Sequence, residues 1–227
     1  SSHSQTMHVG IGSPTCVKFT EVKRQLSRLR SGKFGTGHIP FSESGKSLIE
    51  EMNVGLLLVL RDPRDVVVSH AHYVAQNPSH FLFDTYSQLT REERLKCSIA
   101  GIEDDNGLVK FLNISQRYKS ILLWEDTGLT QTILFEDLIG EKGGGDDKRQ
   151  LKAIDKIVRY ADLKIREGDT IRIQQKLFGG THTFRKGVIG SWKQEFTQEI
   201  TDLFKEVTGN LLVDLGYETT NDWRQNH

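Results

Sequence analysis

Five consecutive apolar residues, Leu56-Leu57-Leu58-Val59-Leu60, run straight into Arg61-Asp62-Pro63-Arg64-Asp65, and this junction constrains the chain more than any other segment. The run has the length of a strand, and its lack of polar alternation predicts burial on both faces, as in a parallel sheet covered by helices. Asp62 suits a helix cap, Pro63 the first helical position and Asp65 the first turn, so a helix opens directly after the strand and reaches about Ala75. Arg61 is left where the strand ends and the helix begins, a place from which a guanidinium can grip a phosphate with two parallel hydrogen bonds. Ser69 lies about two turns beyond Asp62 and faces the same side of that helix. A purely structural reading also fits: a well-capped helix with Arg61 and Arg64 paired to their neighbouring aspartates.

The rest of the chain extends the alternation of strands and helices. Phe19, Val22, Leu26 and Leu29 recur at helical spacing within 14–30, with Ser13 as cap and Pro14 at the first helical position. A short helix around 48–52, helices over 91–100 and 108–124, a second buried strand over 132–135, and helices over 150–161, 167–177 and 197–205 are expected. This pattern predicts the α/β class, with a mainly parallel sheet flanked by helices. Ligands bind such sheets at the carboxyl ends of strands, which directs attention to the residues after Leu60 and Phe135. Gly143-Gly144-Gly145-Asp146-Asp147 reads as a mobile surface loop. With 227 residues and no internal repeat, a single domain over 1–227 is expected.

Charge and cysteine usage narrow the function. Lys+Arg and Asp+Glu balance at 30 each, so no chain-wide basic field points to nucleic acid or an anionic membrane, and any anion site must be a local cluster. The longest apolar run, Gly55 to Leu60, is too short to cross a bilayer. Cys16 and Cys97 lack the spacing of a zinc site or a disulfide scaffold, so no metal is expected, and a reducing, cytoplasmic setting is.

A second cationic segment lies near the C-terminus: Thr183-Phe184-Arg185-Lys186-Gly187-Val188-Ile189-Gly190-Ser191-Trp192-Lys193. Two adjacent cations precede a glycine that lets backbone approach a ligand closely, and an aromatic follows that can pin the loop. Taken alone this is a solvated basic loop beside a core tryptophan; beside Arg61 it becomes the second wall of a phosphate site.

The pair RDPRDVVVS and FRKGVIGSWK resembles the two 3′-phosphate-binding motifs of the sulfotransferase family. Gly37-His38-Ile39-Pro40 is similar to the family's Thr-His-Leu-Pro segment, and Leu134-Phe135-Glu136-Asp137-Leu138 to its Tyr-Glu-Asp-Leu segment, so the likeness runs from about residue 30 to the end. The resemblance implies a three-layer fold like that of the P-loop nucleotide hydrolases, with 3′-phosphoadenosine 5′-phosphosulfate (PAPS) as co-substrate and a small molecule as acceptor. Arg61 and Ser69 would hold the 3′-phosphate from one side, and Arg185, Lys186 and the Gly187 amide from the other. Phe135 and Phe184 would line the adenine pocket. His38 would be the base that takes the acceptor's proton, a role that suits an imidazole titrating near neutral pH.

The chain departs from the family in two places. The family's Pro-Lys-Ser-Gly-Thr-Thr loop, which cradles the 5′-phosphosulfate, has no counterpart, and Thr36 stands where the family has a lysine two residues before the histidine. His8 to Thr15 has a strand-loop-helix flavour but no lysine. Truncation ahead of the chain is the expected cause, and the alternative to an active enzyme is a nucleotide-binding, catalytically incompetent module. Lys193 to Thr197 faintly resembles a family dimerisation segment, which leaves a homodimer open, although Gln198 takes the usual valine position. Phe81, Phe83 and Tyr86 either line the acceptor pocket or belong to the core. Ser44-Gly45-Lys46-Ser47 imitates part of a nucleoside triphosphate loop but follows no buried strand, and reads as a turn before a short helix.

Overall fold

The computed structural model describes residues 7–9, 19–29, 32–166, 168–179 and 187–223. Strand β1 (Met7–Val9) is followed by helix α1 (Phe19–Leu26) and strand β2 (Gly35–Gly37), and the two strands pair in parallel. Helix α2 (Glu43–Glu51) is capped by Ser42, whose hydroxyl accepts from the Gly45 amide. Ser44 to Ser47 therefore lie inside the first turns of a helix rather than in a turn ahead of it.

Strand β3 (Leu56–Leu60) leads through the Asp62 cap and Pro63 into α3 (Pro63–Gln76), as the sequence predicts. Helices α4 (Phe83–Gln88) and α5 (Arg91–Ala100), a small antiparallel pair of β4 (Ile102–Glu103) with β5 (Val109–Phe111), and α6 (Ile114–Leu122) complete the crossover to β6 (Thr130–Leu134). Strand β6 runs parallel to β3, in register from Leu56 opposite Thr130 to Leu60 opposite Leu134. Helices α7 (Phe135–Leu138), α8 (Asp147–Tyr160), α9 (Asp169–Leu177), α10 (Gln198–Thr208) and α11 (Leu211–Asp214) follow. The architecture is α/β, with parallel strand pairs and flanking helices. No helix among the described residues is long and apolar enough to cross a membrane.

The main core lies between β3 and helices α3, α5, α6 and α10. Val67, Val68, Ile99, Ile114, Ile200 and Phe204 are wholly buried there, with Trp192, Phe196 and Trp223 packed alongside. A second cluster joins Val22 and Leu26 of α1 to Leu48 and Ile49 of α2 and to Trp124. A third gathers Val74, Leu82, Tyr86 and Phe111.

Several expectations are corrected. Strand β3 is not buried on both faces: Leu57 and Val59 are 42% and 47% exposed while Leu60 is buried, because among the described residues β3 has one neighbour, β6, and its core lies on one side. The segment 108–124 is not one helix. Asn113 and Gln116 form a reciprocal capping box that starts α6 at Ile114, and the residues before it pair as β5. The second strand ends at Leu134, and Phe135 opens α7.

The glycine-rich segment is a packed buttress rather than a mobile surface loop. Gly143 is buried, its carbonyl accepts from the Ile189 amide at 2.9 Å, and a Cβ there would collide with the Gly187 carbonyl oxygen. Asp146 caps α8, and Asp147 accepts from the Glu141 amide. The long-range contact with 187–189 and these local side-chain bonds, and not the glycine content, fix the segment.

Because Phe204 is wholly buried among Phe196, Trp223 and the other residues of the main core, Phe204→Ala should lower the unfolding free energy by about 3–5 kcal/mol in a urea titration. A loss under about 1 kcal/mol would mean that α10 stands outside the cooperative core.

Candidate active site

Arg61 occupies the carboxyl end of β3, where the backbone turns into α3. Its Nη2 donates to the Val188 carbonyl at 3.0 Å, and its guanidinium carbon lies 4.3 Å from the centre of the Phe135 ring. The Tyr118 hydroxyl donates to the Arg61 carbonyl at 2.5 Å and fixes the strand end from below. Burial raises the pKa of that hydroxyl, so it stays a donor. Arg61 Nε is buried and has no partner among the described residues, an unused donor at the position the sequence assigned to a phosphate.

The two arginines of the motif separate in role. Arg64 is spent internally: it clasps both oxygens of Asp62, donates to Glu218 at 2.5 Å, and packs over Trp192 and Trp223 at 4.0 and 4.7 Å. Arg61 meets its neighbouring acid more loosely, 3.7 Å from Asp65. The structural reading therefore applies to Arg64, while Arg61 retains donors to offer.

Asp65, read from sequence merely as a first-turn acid, does the most to assemble the site. Its side chain is fully buried, and it accepts from the Gly190 amide at 2.7 Å, the Ser191 hydroxyl at 2.8 Å and the Trp192 amide at 3.0 Å. The helix that follows β3 thereby holds the C-terminal glycine loop. Gly190 has φ +75° and Gly187 φ +58°, conformations that favour glycine at the two turns of this loop. Gly187 is thus brought to the strand end that carries Arg61, through Val188 beside it. Ser69 sits half-buried on α3, two turns along from Asp62. Phe184, Arg185 and Lys186 lie outside the described residues.

Glu136 secures the other side. Its carboxylate accepts from the Asp62 amide at 2.9 Å and is 3.1 Å from the Tyr217 hydroxyl, and burial raises its pKa. Phe135, one residue earlier, consequently presents its ring to Arg61.

His38 follows directly on β2 and keeps solvent exposure. The segment after it is pinned to α6: the Phe41 amide donates to the Ser120 carbonyl at 2.7 Å, and Trp124 Nε1 to the Ile39 carbonyl at 2.9 Å. Desolvation by the surrounding chain, and second the Arg117 guanidinium, lower the His38 pKa below its ordinary value, which favours the neutral imidazole that a base must be. Because β1 and β2 are parallel, the chain leaves Val9 at the same edge where His38 stands. Neither Arg117 nor the half-buried His70 was singled out from sequence, since only the fold brings α3 and α6 to His38.

Of the aromatic residues considered for the acceptor pocket, Tyr86 is wholly buried core, Phe83 is half-buried and Phe81 is exposed. The segment 193–197 is engaged within the chain. Glu195 is buried and pairs with Arg91 and His72, Phe196 is core, and Thr197 caps α10. Among the described residues no group of three or more His, Cys, Asp or Glu side chains is placed to hold a metal ion.

No family model matches the chain. Sulfotransferase 2A1 of Rattus norvegicus is 23% identical over 199 residues, which cover 80% of this chain and 64% of that protein, so the chain spans less than two thirds of its relative's length. The crystal structure of mouse sulfotransferase SULT7A1 complexed with PAP superposes with a TM-score of 0.60 at 18% identity, over 94% of this chain and 77% of that one. The strand-end arginine, the glycine loop tied to it and the histidine at the end of β2 thus stand on a fold shared with a sulfotransferase, and the chain is similar in sequence to a second sulfotransferase.

Proposed function

We propose that the chain binds 3′-phosphoadenosine 5′-phosphosulfate and transfers its sulfuryl group to a hydroxyl or amine of a small acceptor. The observation that carries this reading is the Asp65 carboxylate, which fastens the 190–192 loop to the helix behind Arg61 and so joins the two phosphate motifs at one strand end. Arg61 and Ser69 would hold the 3′-phosphate from the β3 side, and Gly187 with Arg185 and Lys186 from the other. Arg61 Nε, unpartnered among the described residues, fits this use. Phe135 and Phe184 would flank the adenine.

His38 would take the proton of the acceptor oxygen as that oxygen forms its bond to sulfur. The bond from sulfur to the bridging oxygen of the 5′-phosphate breaks in the same step, and its electron pair leaves with 3′-phosphoadenosine 5′-phosphate. Such a transfer has a loose transition state and depends on positioning and on cations more than on covalent help from the protein. The unmatched 5′-phosphosulfate loop and Thr36 in place of a lysine favour a second reading, a module that binds the nucleotide without turnover. The free thiol of Cys97 accords with a cytoplasmic setting.

Calorimetric binding of 3′-phosphoadenosine 5′-phosphate separates both readings from any other. The parent chain should bind, and Arg61→Ala should weaken binding by about one to two orders of magnitude, the worth of one charge-assisted hydrogen bond. Equal binding by the variant would remove Arg61 from the site.

Asp65→Asn replaces one acceptor oxygen by a donor facing other donors. It should lower the melting temperature and weaken nucleotide binding at least about tenfold, because each charge-assisted bond is worth about 1.5–3 kcal/mol. A folded variant with parental affinity would uncouple the two motifs.

If turnover occurs, His38→Ala should reduce it about 10²–10⁴-fold with nucleotide affinity unchanged. The neutral imidazole is the active form and its pKa is depressed, so kcat/KM should rise with pH, reach half its plateau below pH 6.5 and be level at neutrality. A profile still climbing above pH 7.5 would point to a different base.

A further inference from the structure

A partly buried cluster beside His38 has no part in the chemistry above. His70 of α3, Tyr86 of α4, Ser98 of α5, Phe111 of β5 and Arg117 of α6 meet there. The His70 ring stacks on Phe111 with centroids 4.6 Å apart and 7° between planes, and the Arg117 guanidinium carbon lies 4.4 Å from the centre of the same ring. Ser98 is the node: its carbonyl accepts from Arg117 Nη2 at 2.6 Å, and its hydroxyl lies 2.9 Å from His70 Nδ1 and 3.0 Å from the Tyr86 hydroxyl.

Hydrogen-bond satisfaction gives this relay a direction. If Tyr86 donates to Ser98 and Ser98 donates to His70 Nδ1, every hydroxyl proton has an acceptor and the imidazole carries its own proton on Nε2. The reverse order strands the hydroxyl proton of Tyr86, a side chain with no exposure, among the described residues. The first order leaves fewer unmade bonds, so His70 presents Nε2–H. That nitrogen is buried without a partner among the described residues, and so is Arg117 Nε.

Arg117 is also a cation without a counter-ion, since none of the ion pairs among the described residues includes it. Burial brings its pKa down to about 10, and after burial its charge is the next cause that lowers the pKa of both His70 and His38. A largely enclosed guanidinium with no carboxylate partner among the described residues, held on the same Phe111 ring as a second donor that is unpartnered there, complements an oxyanion. The cluster is close to the reacting edge, because Ser120, one turn beyond Arg117, accepts from the Phe41 amide. His80 lies 6.0 Å from His70, with the exposed rings of Tyr73 and Phe81 around it as an apolar rim.

We propose that His70 Nε2–H and Arg117 form an oxyanion subsite beside His38, and that the acceptor carries a carboxylate in addition to the group that receives the sulfuryl. This rests on the reading of His38 as the acceptor-side base, but the subsite is measurable without turnover. The probe is benzoate, with benzyl alcohol as its neutral counterpart, titrated into the full chain with ¹⁵N-labelled histidines.

His70 should resonate as the Nε2–H tautomer and shift on benzoate addition, and benzoate should bind at least about tenfold tighter than benzyl alcohol. His70→Phe, which keeps a ring against Phe111, and Arg117→Met should each weaken benzoate binding at least about tenfold. An Nδ1–H tautomer, equal affinity for the two probes, no benzoate binding by the folded chain, or folded variants that bind benzoate as the parent does would each overturn the subsite. Where a variant fails to fold, the parent's tautomer and its preference between probes still decide. Calorimetry with 3′-phosphoadenosine 5′-phosphate on the same sample separates the two readings: benzoate bound at His70 without nucleotide binding sinks the nucleotide site and leaves the subsite standing.

Discussion

The Asp65 carboxylate is the contact on which the rest of the site depends. A fully buried carboxylate is costly to desolvate, and this one is compensated by three donors from a single loop, the Gly190 and Trp192 amides and the Ser191 hydroxyl. The compensation has a geometric by-product. Satisfying the acid places the loop against the helix that follows β3, and the Val188 carbonyl then reaches Arg61. The same economy governs Arg64, whose charge is absorbed by Asp62, Glu218 and two indole faces. One arginine of the motif is consumed so that the other is held at the strand end with a donor to spare.

Support for the loop comes from both sides. Beneath it, Gly143 approaches so closely that no side chain fits, and its carbonyl takes the Ile189 amide. Behind it, Trp192 enters the main core with Phe196 and Trp223. A loop that must adopt a φ of +58° at Gly187 is thus braced by a buried glycine on one face and an aromatic cluster on the other.

Much of this was legible in the sequence because it was local. The Asp62 cap, Pro63 at the first helical position, the β3 to α3 junction and the position of Arg61 follow from residues that are neighbours in the chain. The split of 108–124 into β5 and α6 was also written locally, in the Asn113 and Gln116 capping box, but helical spacing of apolar residues masked it. What stayed hidden was non-local. Nothing near Asp65 announces its partners in the 190–192 loop, nothing near Gly143 announces Gly187, and the apolar run of β3 gives no sign that Leu57 and Val59 face outward. His70 and Arg117 were unremarkable in sequence for the same reason, since they meet only through Ser98 and Phe111.

The separation between Asp65 and its donors also bears on how the chain is made. Asp65 leaves the ribosome 125 residues before Gly190. At about 5–20 residues per second that interval lasts roughly 6–25 s. Until the loop arrives, the carboxylate has only water and the looser contact with Arg61, so α3 cannot seal its polar first turn into the core. For that interval the nascent chain carries this end of the sheet without its loop, and the site closes only after Gly190 to Trp192 have emerged.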